Sequence, residues 1–238
     1  MTHNLKETVS IGWCDNGMVD GMFMDSVLSI LLDAKKMNIN ITGKIRVNGN
    51  QIGRQRQALF DYWADFSKTD WLLWVDSDIV LNQEALKLVW DSANKDNKPV
   101  VSGVYFVTTE NEKTLMEPYP AIFFEGETKH SLKTIHPLPQ DKLIKIDSAG
   151  FGFLLMHKSI VPKLRKLYKD YSLFAEEEGI GDKYISEDIV FFRKLKASGV
   201  DFYAHTGATV QHIKRFSFDR NYYNVYWNAL EKELFIKK

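Results

Sequence analysis

Residues 71–80 read WLLWVDSDIV, five apolar residues from Trp71 to Val75 running straight into Asp76 and Asp78 with one serine between them. A run this apolar reads as a strand buried on both faces, the habit of a parallel sheet covered by helices. Two carboxylates at its end repel each other and are costly there unless something cationic offsets them. Ligands of open α/β sheets sit at the carboxyl ends of the strands, which is where this pair lies.

The flanking sequence supports that class. TVSIGW (8–13) reads as a strand ending in the loop signal CDNG, and 18–36 follows as a helix. A weaker strand (38–47), the turn NGNQIG, and a helix over 54–68 with Leu59, Tyr62, Trp63 and Phe66 at helical spacing lead into the opening strand. Asn82 reads as the N-cap of a helix over about 83–95, and 98–106 is another strand. This order predicts a mostly parallel sheet with helices on both faces. Beyond it, 107–145 reads as loops and short strands. A buried strand (150–156), a helix from a Ser159 cap (159–168), a polar loop (174–185), a helix (186–198) and the short strands VDFYAH and ATVQH follow. The aromatic tail, 213–238, reads as helical.

At 238 residues with 45% hydrophobic content, the chain has enough apolar material for one substantial domain. Lysine plus arginine equals aspartate plus glutamate, 31 against 31, so no global field draws it to nucleic acid or an anionic membrane. Cys14 is the only cysteine, which rules out an intrachain disulfide and fits a reducing compartment. With no signal-like or membrane-spanning apolar run, the expected location is cytoplasmic.

A divalent cation, Mg²⁺ or Mn²⁺, would relieve the Asp76–Asp78 conflict, because such ions are held by one or two carboxylates together with substrate phosphates. Alternatively, the two acids merely cap the following turn. Arg54 and Arg56 open a helix, where they are either solvated or, for Arg54, able to bind an anion such as a diphosphate. Ser186 with Glu187 and Asp188 makes a good helix start by itself. His212 ends a short strand.

Two families carry a segment of this kind. WVDSDIV, with GDKYISE (181–187) as a later acidic motif, is similar to the haloacid-dehalogenase-type phosphatases, which would make Asp76 a nucleophile. That family puts its nucleophile strand first in the core, whereas two strand–helix units precede the motif here, and no lysine is singled out. The ordered set GRQRQALFDYWADFSKTDWLLWVDSD, GFGFLLMHKSIV and YISEDIVFFRKLKASGVDFYAHTGATVQHI resembles the GT-A glycosyltransferases, particularly small soluble bacterial and viral members, over roughly residues 8–213. The first strand lacks the Pro-x-(Tyr/Phe)-Asn often found in that family.

The resemblance implies a single GT-A (Rossmann-like) α/β domain, with a nucleotide-sugar half over about 1–107, an acceptor half over 108–212 and a tail over 213–238. It implies Asp76, Asp78 and His212 as ligands of Mn²⁺ or Mg²⁺. Asp15, Arg54, Asp76, Lys214 and Arg215 are the expected nucleotide contacts, and Asp188 the catalytic carboxylate. Glu187 is expected to cap the helix or bind an acceptor hydroxyl. The donor would be a nucleotide diphosphate sugar, UDP preferred and GDP the rival. The acceptor stays open among glycan, protein, lipid-linked sugar, small metabolite and nucleic-acid base. A sugar- or metal-binding module without turnover is the third reading, although a pure binder has no need of the acidic helix.

Overall fold

The computed structural model describes residues 7–109, 117–128, 131–178 and 184–214, with 220 and 224. Its centre is a seven-stranded sheet of β1 (Thr8–Asp15), β2 (Asn40–Asn48), β3 (Trp71–Val75), β4 (Val100–Val104), β5 (Leu143–Lys145), β6 (Phe153–His157) and β7 (Tyr203–Thr209). The spatial order is β5–β7–β4–β6–β3–β1–β2. β1 pairs in parallel with β2 and β3, and β7 pairs in parallel with β4. β6 lies antiparallel between β3 and β4, and β5 is antiparallel on the far edge. Five of the seven strands therefore share one direction, as expected. The departure is β6, contributed by the second half of the chain, which separates two strands that the simple βαβ order would have made neighbours.

Side chains alternate across β3. Trp71, Leu73 and Val75 face a layer built by α1 (Gly21–Asp33) and α3 (Gln83–Ser92), while Leu72 and Trp74 face α2 (Ile52–Asp65), α4 (Ile160–Tyr168) and α5 (Glu187–Ala197). All five are almost fully enclosed, each stabilising the fold by about 1.5–3 kcal/mol. Because both faces are apolar, alternation alone cannot set the register of such a strand. Polar ends do so instead. At the entry, Asp70 Oδ2 accepts from the Thr8 backbone N–H (2.8 Å) and the Thr8 hydroxyl (3.0 Å). At the exit, the Asp76 N–H donates to Gly152 O (3.2 Å).

Several local expectations need correction. The buried stripe of α2 is Arg56, Leu59, Phe60 and Trp63, whereas Tyr62 and Phe66 are exposed. Asn82 does cap α3, accepting from the Ala85 N–H at 2.8 Å. Ser159 caps nothing, and its hydroxyl donates to Lys95 O. The helix expected over 18–36 ends as a 3₁₀ turn, Ala34–Met37, and the two short strands near the end are β7 followed by Gln211–His212. Glu177–Glu178 pairs with Tyr184–Ile185 inside the expected polar loop, whose residues 179–183 lie outside the described residues. So does nearly all of the expected helical tail. Among the described residues, no helix is long and apolar enough to cross a membrane.

Candidate active site

The chain turns immediately after β3. Ile79 N–H donates back to Asp76 O (3.0 Å), and Ile79–Val80 then pairs antiparallel with Gln211–His212. Ile213 N–H donates to Asp78 O (2.8 Å), which closes the link between two segments 134 positions apart. This small pairing sets the His212 ring beside Asp78. Nδ1 lies 2.9 Å from Phe106 O and Nε2 lies 3.1 Å from Asp78 Oδ2. A carbonyl oxygen only accepts, so Nδ1 carries the proton and donates. The Nε2 lone pair of a neutral ring therefore faces a carboxylate oxygen, and either a second proton or a shared cation must reconcile them. Fixing a histidine tautomer through its other nitrogen is how imidazole metal ligands are oriented.

Burial pushes the Asp78 carboxyl up, but its bond to His212 and the nearby His212 and Lys214 charges outweigh this and hold it below the usual carboxylate range. Lys214 Nζ stands 3.8 Å from Asp78 Oδ2. Both residues line a cavity of about 340 Å³ with Asn16, Asp20 and Ser77. A carboxylate oxygen opening on a cavity with a lysine, and an imidazole nitrogen set against that carboxylate, suit Mn²⁺ or Mg²⁺ with phosphate oxygens as the remaining donors.

Asp76 is not the third member of that pair. Among the described residues, no group of three or more His, Cys, Asp or Glu side chains could hold a metal ion. Asp76 is instead turned onto Arg56, whose Nη2 donates to both of its oxygens at 3.2 Å. Arg56 Nη1 donates to Glu187 Oε1 at 2.6 Å, and the guanidinium lies 4.9 Å from the Phe151 ring centroid. Burial opposes the arginine's charge, yet Asp76, Asp188 and Glu187 together overcome it and raise its proton affinity. Burial pushes the Glu187 carboxyl up against the pull of Arg56, with Asp188 adding to the rise. Glu187 is thus the buried partner of an arginine rather than a helix cap or an acceptor contact. The cation that offsets the acids after β3 is a residue of the chain.

Arg54 is placed differently. Two residues on a helix are about 200° apart, so Arg54 and Arg56 cannot share a face. Arg54 is exposed and lines a separate cavity of about 640 Å³ with Gln51, Ser172 and Glu176, away from Asp78. A signal for Arg56 was present in the sequence, since 56, 59, 60 and 63 follow the i, i+3, i+4, i+7 spacing of a buried face.

Asp15 ends β1, but its carboxylate is enclosed and fully committed. Oδ1 accepts from Gly17 N–H (2.8 Å) and Arg46 Nη2 (2.8 Å), and Oδ2 from Arg46 Nε (2.6 Å) and Trp13 Nε1 (3.1 Å). It braces β1 to β2 and has no lone pair direction left for a nucleotide. The Arg46 bonds foremost hold its carboxyl below the usual range, against burial. A lowered folded value means stabilisation that is present above about pH 4 and lost as pH falls through the folded value. The midpoint of thermal unfolding should therefore fall less steeply below pH 4 in Asp15→Asn than in the parent. Equal slopes would remove Asp15 from the acid-sensitive contacts.

Asp188 opens α5. Its Oδ1 accepts from the Ser186 hydroxyl and from the Ile189 N–H (2.8 Å), leaving Oδ2 without a hydrogen bond among the described residues. Ser186 makes no side-chain cap bond, and its hydroxyl donates to Asp188. The carboxylate lines a cavity of about 630 Å³ formed by residues 118–123, 132–136 and the start of α5. Tyr105 packs against the Asp78 pair, with its ring 5.1 Å from that of His212. A Cβ on Gly150 would lie 1.8 Å from the tyrosine oxygen, and one on Gly152 would lie 2.7 Å from its ring. That is why Gly-Phe-Gly (150–152) leads into β6, which starts at Phe153 rather than at 150 as expected. Arg215 lies outside the described residues.

Comparison with known proteins adds the fold. No protein-family model matches the chain, and no curated protein matches it. Among solved structures, the crystal structure of A197 from STIV is similar, with a TM-score of 0.54 at 16% identity over 88% of this chain and 86% of that one. The crystal structure of GalNAc-T7 with UDP, GalNAc and Mn²⁺ gives a TM-score of 0.57 at 12% identity over 88% of this chain, which spans only 44% of that longer one. At such identities the likeness establishes the α/β, GT-A-like architecture and nothing finer.

Proposed function

We propose that the chain transfers a sugar from a nucleotide diphosphate sugar, preferentially a UDP-sugar, to an acceptor hydroxyl. The observation that carries this reading is the His212–Asp78 pair, with Nε2 3.1 Å from Oδ2 and Lys214 beside it. The fold it shares with GalNAc-T7, crystallised with UDP and Mn²⁺, supports it. Asp78 and His212 would hold the divalent cation, which when bound supplies Lewis acidity toward the diphosphate oxygens. Lys214 adds a positive charge for the departing diphosphate. Asp76, fixed by Arg56, is left to accept from a nucleotide hydroxyl. Asp188 takes the acceptor's proton at Oδ2 as the acceptor oxygen bonds to the anomeric carbon. The bond from that carbon to the diphosphate breaks, with its electron pair leaving on the phosphate oxygen, which inverts the centre. The two cavities support a nucleotide half over 1–107 and an acceptor half over 108–212. The phosphatase reading loses ground, because its nucleophile, Asp76, is engaged by a buried arginine.

Calorimetry tests this directly. UDP should bind with Mn²⁺ and more weakly without it, GDP serving as the specificity control. Asp78→Ala should weaken the Mn²⁺-dependent binding by about 10- to 100-fold, the effect of one contact to a charged group. A variant that binds UDP and Mn²⁺ as tightly as the parent would sink the assignment.

A further inference from the structure

The 630 Å³ cavity beside Asp188 is unusual for a place that must recognise a hydroxyl. Its walls are largely apolar, with Pro118, Tyr119, Phe123, Leu132 and Ile189 among them. The hydroxyls it contains are mostly spent. Ser186 donates to Asp188, and the Thr134 hydroxyl donates to Pro120 O at 3.3 Å. Asp188 Oδ2, His136 and the Tyr119 hydroxyl remain for a ligand among the described residues, while Ser186 and Thr134 can still accept but have no proton left to donate. Among the described residues no lysine or arginine lines the cavity, and Arg193 nearby on α5 is paired with Glu125 through two bonds of 3.0 and 3.1 Å.

Two ligand classes fit this poorly. A free glycan brings many hydroxyls, and each one left unpaired on leaving water costs about tenfold or more in affinity. A phosphorylated or nucleic-acid acceptor would set its negative charge beside Asp188, with no lysine or arginine among the described lining residues to answer it. An uncharged body that is mostly apolar and carries one hydroxyl meets both conditions. Its flat or aliphatic part is covered by Tyr119, Phe123 and Leu132, and its hydroxyl reaches Asp188.

We propose that the acceptor is a phenol or another apolar alcohol, bound in this cavity with its hydroxyl on Asp188 Oδ2. The assignment rests on the glycosyl-transfer reading for what happens to that hydroxyl, whereas binding to the cavity can be measured without any donor.

Saturation-transfer NMR and fluorescence titration with the phenol 4-methylumbelliferone, against maltose and phenyl phosphate, decide the class. The phenol should bind at least tenfold more tightly than either competitor. Leu132→Glu, at a partly exposed position that leaves the core alone, should weaken it at least fivefold, and Tyr119→Ala should do the same. UDP and Mn²⁺ affinity should stay unchanged in both variants. Preference for maltose or phenyl phosphate would overturn the proposal, as would phenol binding that neither variant changes. Phenol binding without UDP–Mn²⁺ binding would instead remove the transfer reading and leave the cavity assignment standing.

Discussion

Asp188→Asn should lower turnover by about 10²- to 10⁴-fold, the usual contribution of a positioned general base, with UDP–Mn²⁺ affinity unchanged. Asparagine keeps an oxygen where Oδ1 accepts from Ser186 and the Ile189 N–H, so the start of α5 should persist. What disappears is the basic lone pair at Oδ2, the atom that faces the cavity. The amide carries a donor there, which can hydrogen-bond the acceptor but cannot take its proton. Position matters as well as identity. The carboxylate stands in the first turn of α5 and lines the cavity, where an acceptor hydroxyl can reach it. Steady-state kinetics with calorimetry on the same variant separates binding from chemistry, and NMR of the parent's product should show the anomer opposite to the donor. A fully active asparagine variant, or a retained anomer, would take Asp188 out of the role of base.

Arg56→Ala carries the largest expected loss of stability. The guanidinium is the common partner of Asp76 and Glu187, and Glu187 is 7% exposed. Removing one member of a buried ion pair typically costs about 3–5 kcal/mol, because a charge is left without compensation. For a chain of this size that corresponds to a fall of about 6–20 °C in Tm. Arg56→Lys should recover only part of it, since an ammonium cannot span two carboxylates with a planar fork. Adding Glu187→Gln to Arg56→Ala should recover more, because the charge left unpaired is then gone. Thermal unfolding of the parent, Arg56→Ala, Glu187→Gln and the double variant forms a coupling cycle. A loss below about 1 kcal/mol in Arg56→Ala would show that water or rearrangement already solvates the acids.

The architecture was largely legible because β3 is apolar on both faces and sits among alternating strand and helix patterns. The place of β6 was not. Nothing local to Phe153–His157 says that it will lie antiparallel between β3 and β4. Sheet order depends on how non-adjacent segments pack, whereas periodicity reports only which face of a segment is buried. The site divides in the same way. Asp78 and His212 stood out as a carboxylate and an imidazole at strand ends, and the structure joins them. Asp76 looked equivalent to Asp78, one serine away, but Arg56 claims it from another helix. Arg54 drew attention as the exposed cation of a helix start, while Arg56 was hidden by its own apolar setting. Asp15 read as a free acid because its partner, Arg46, lies on the neighbouring strand 31 positions away.

The insertion of β6 also governs how the chain can be made. β3 is complete at Val75, yet the strand that covers its second edge ends at His157, 82 positions later. At synthesis rates of about 5–20 residues per second, roughly 4–16 s separate the two on a ribosome. Through that interval WLLWV offers an open edge, rich in β-forming residues and free of charge, the kind of segment that pairs with copies of itself. Slowing elongation lengthens this exposure, and a fragment ending near residue 107 makes it permanent. The half that carries Asp78 therefore cannot be isolated in a finished fold, since its central strand stays unfinished until the other half emerges.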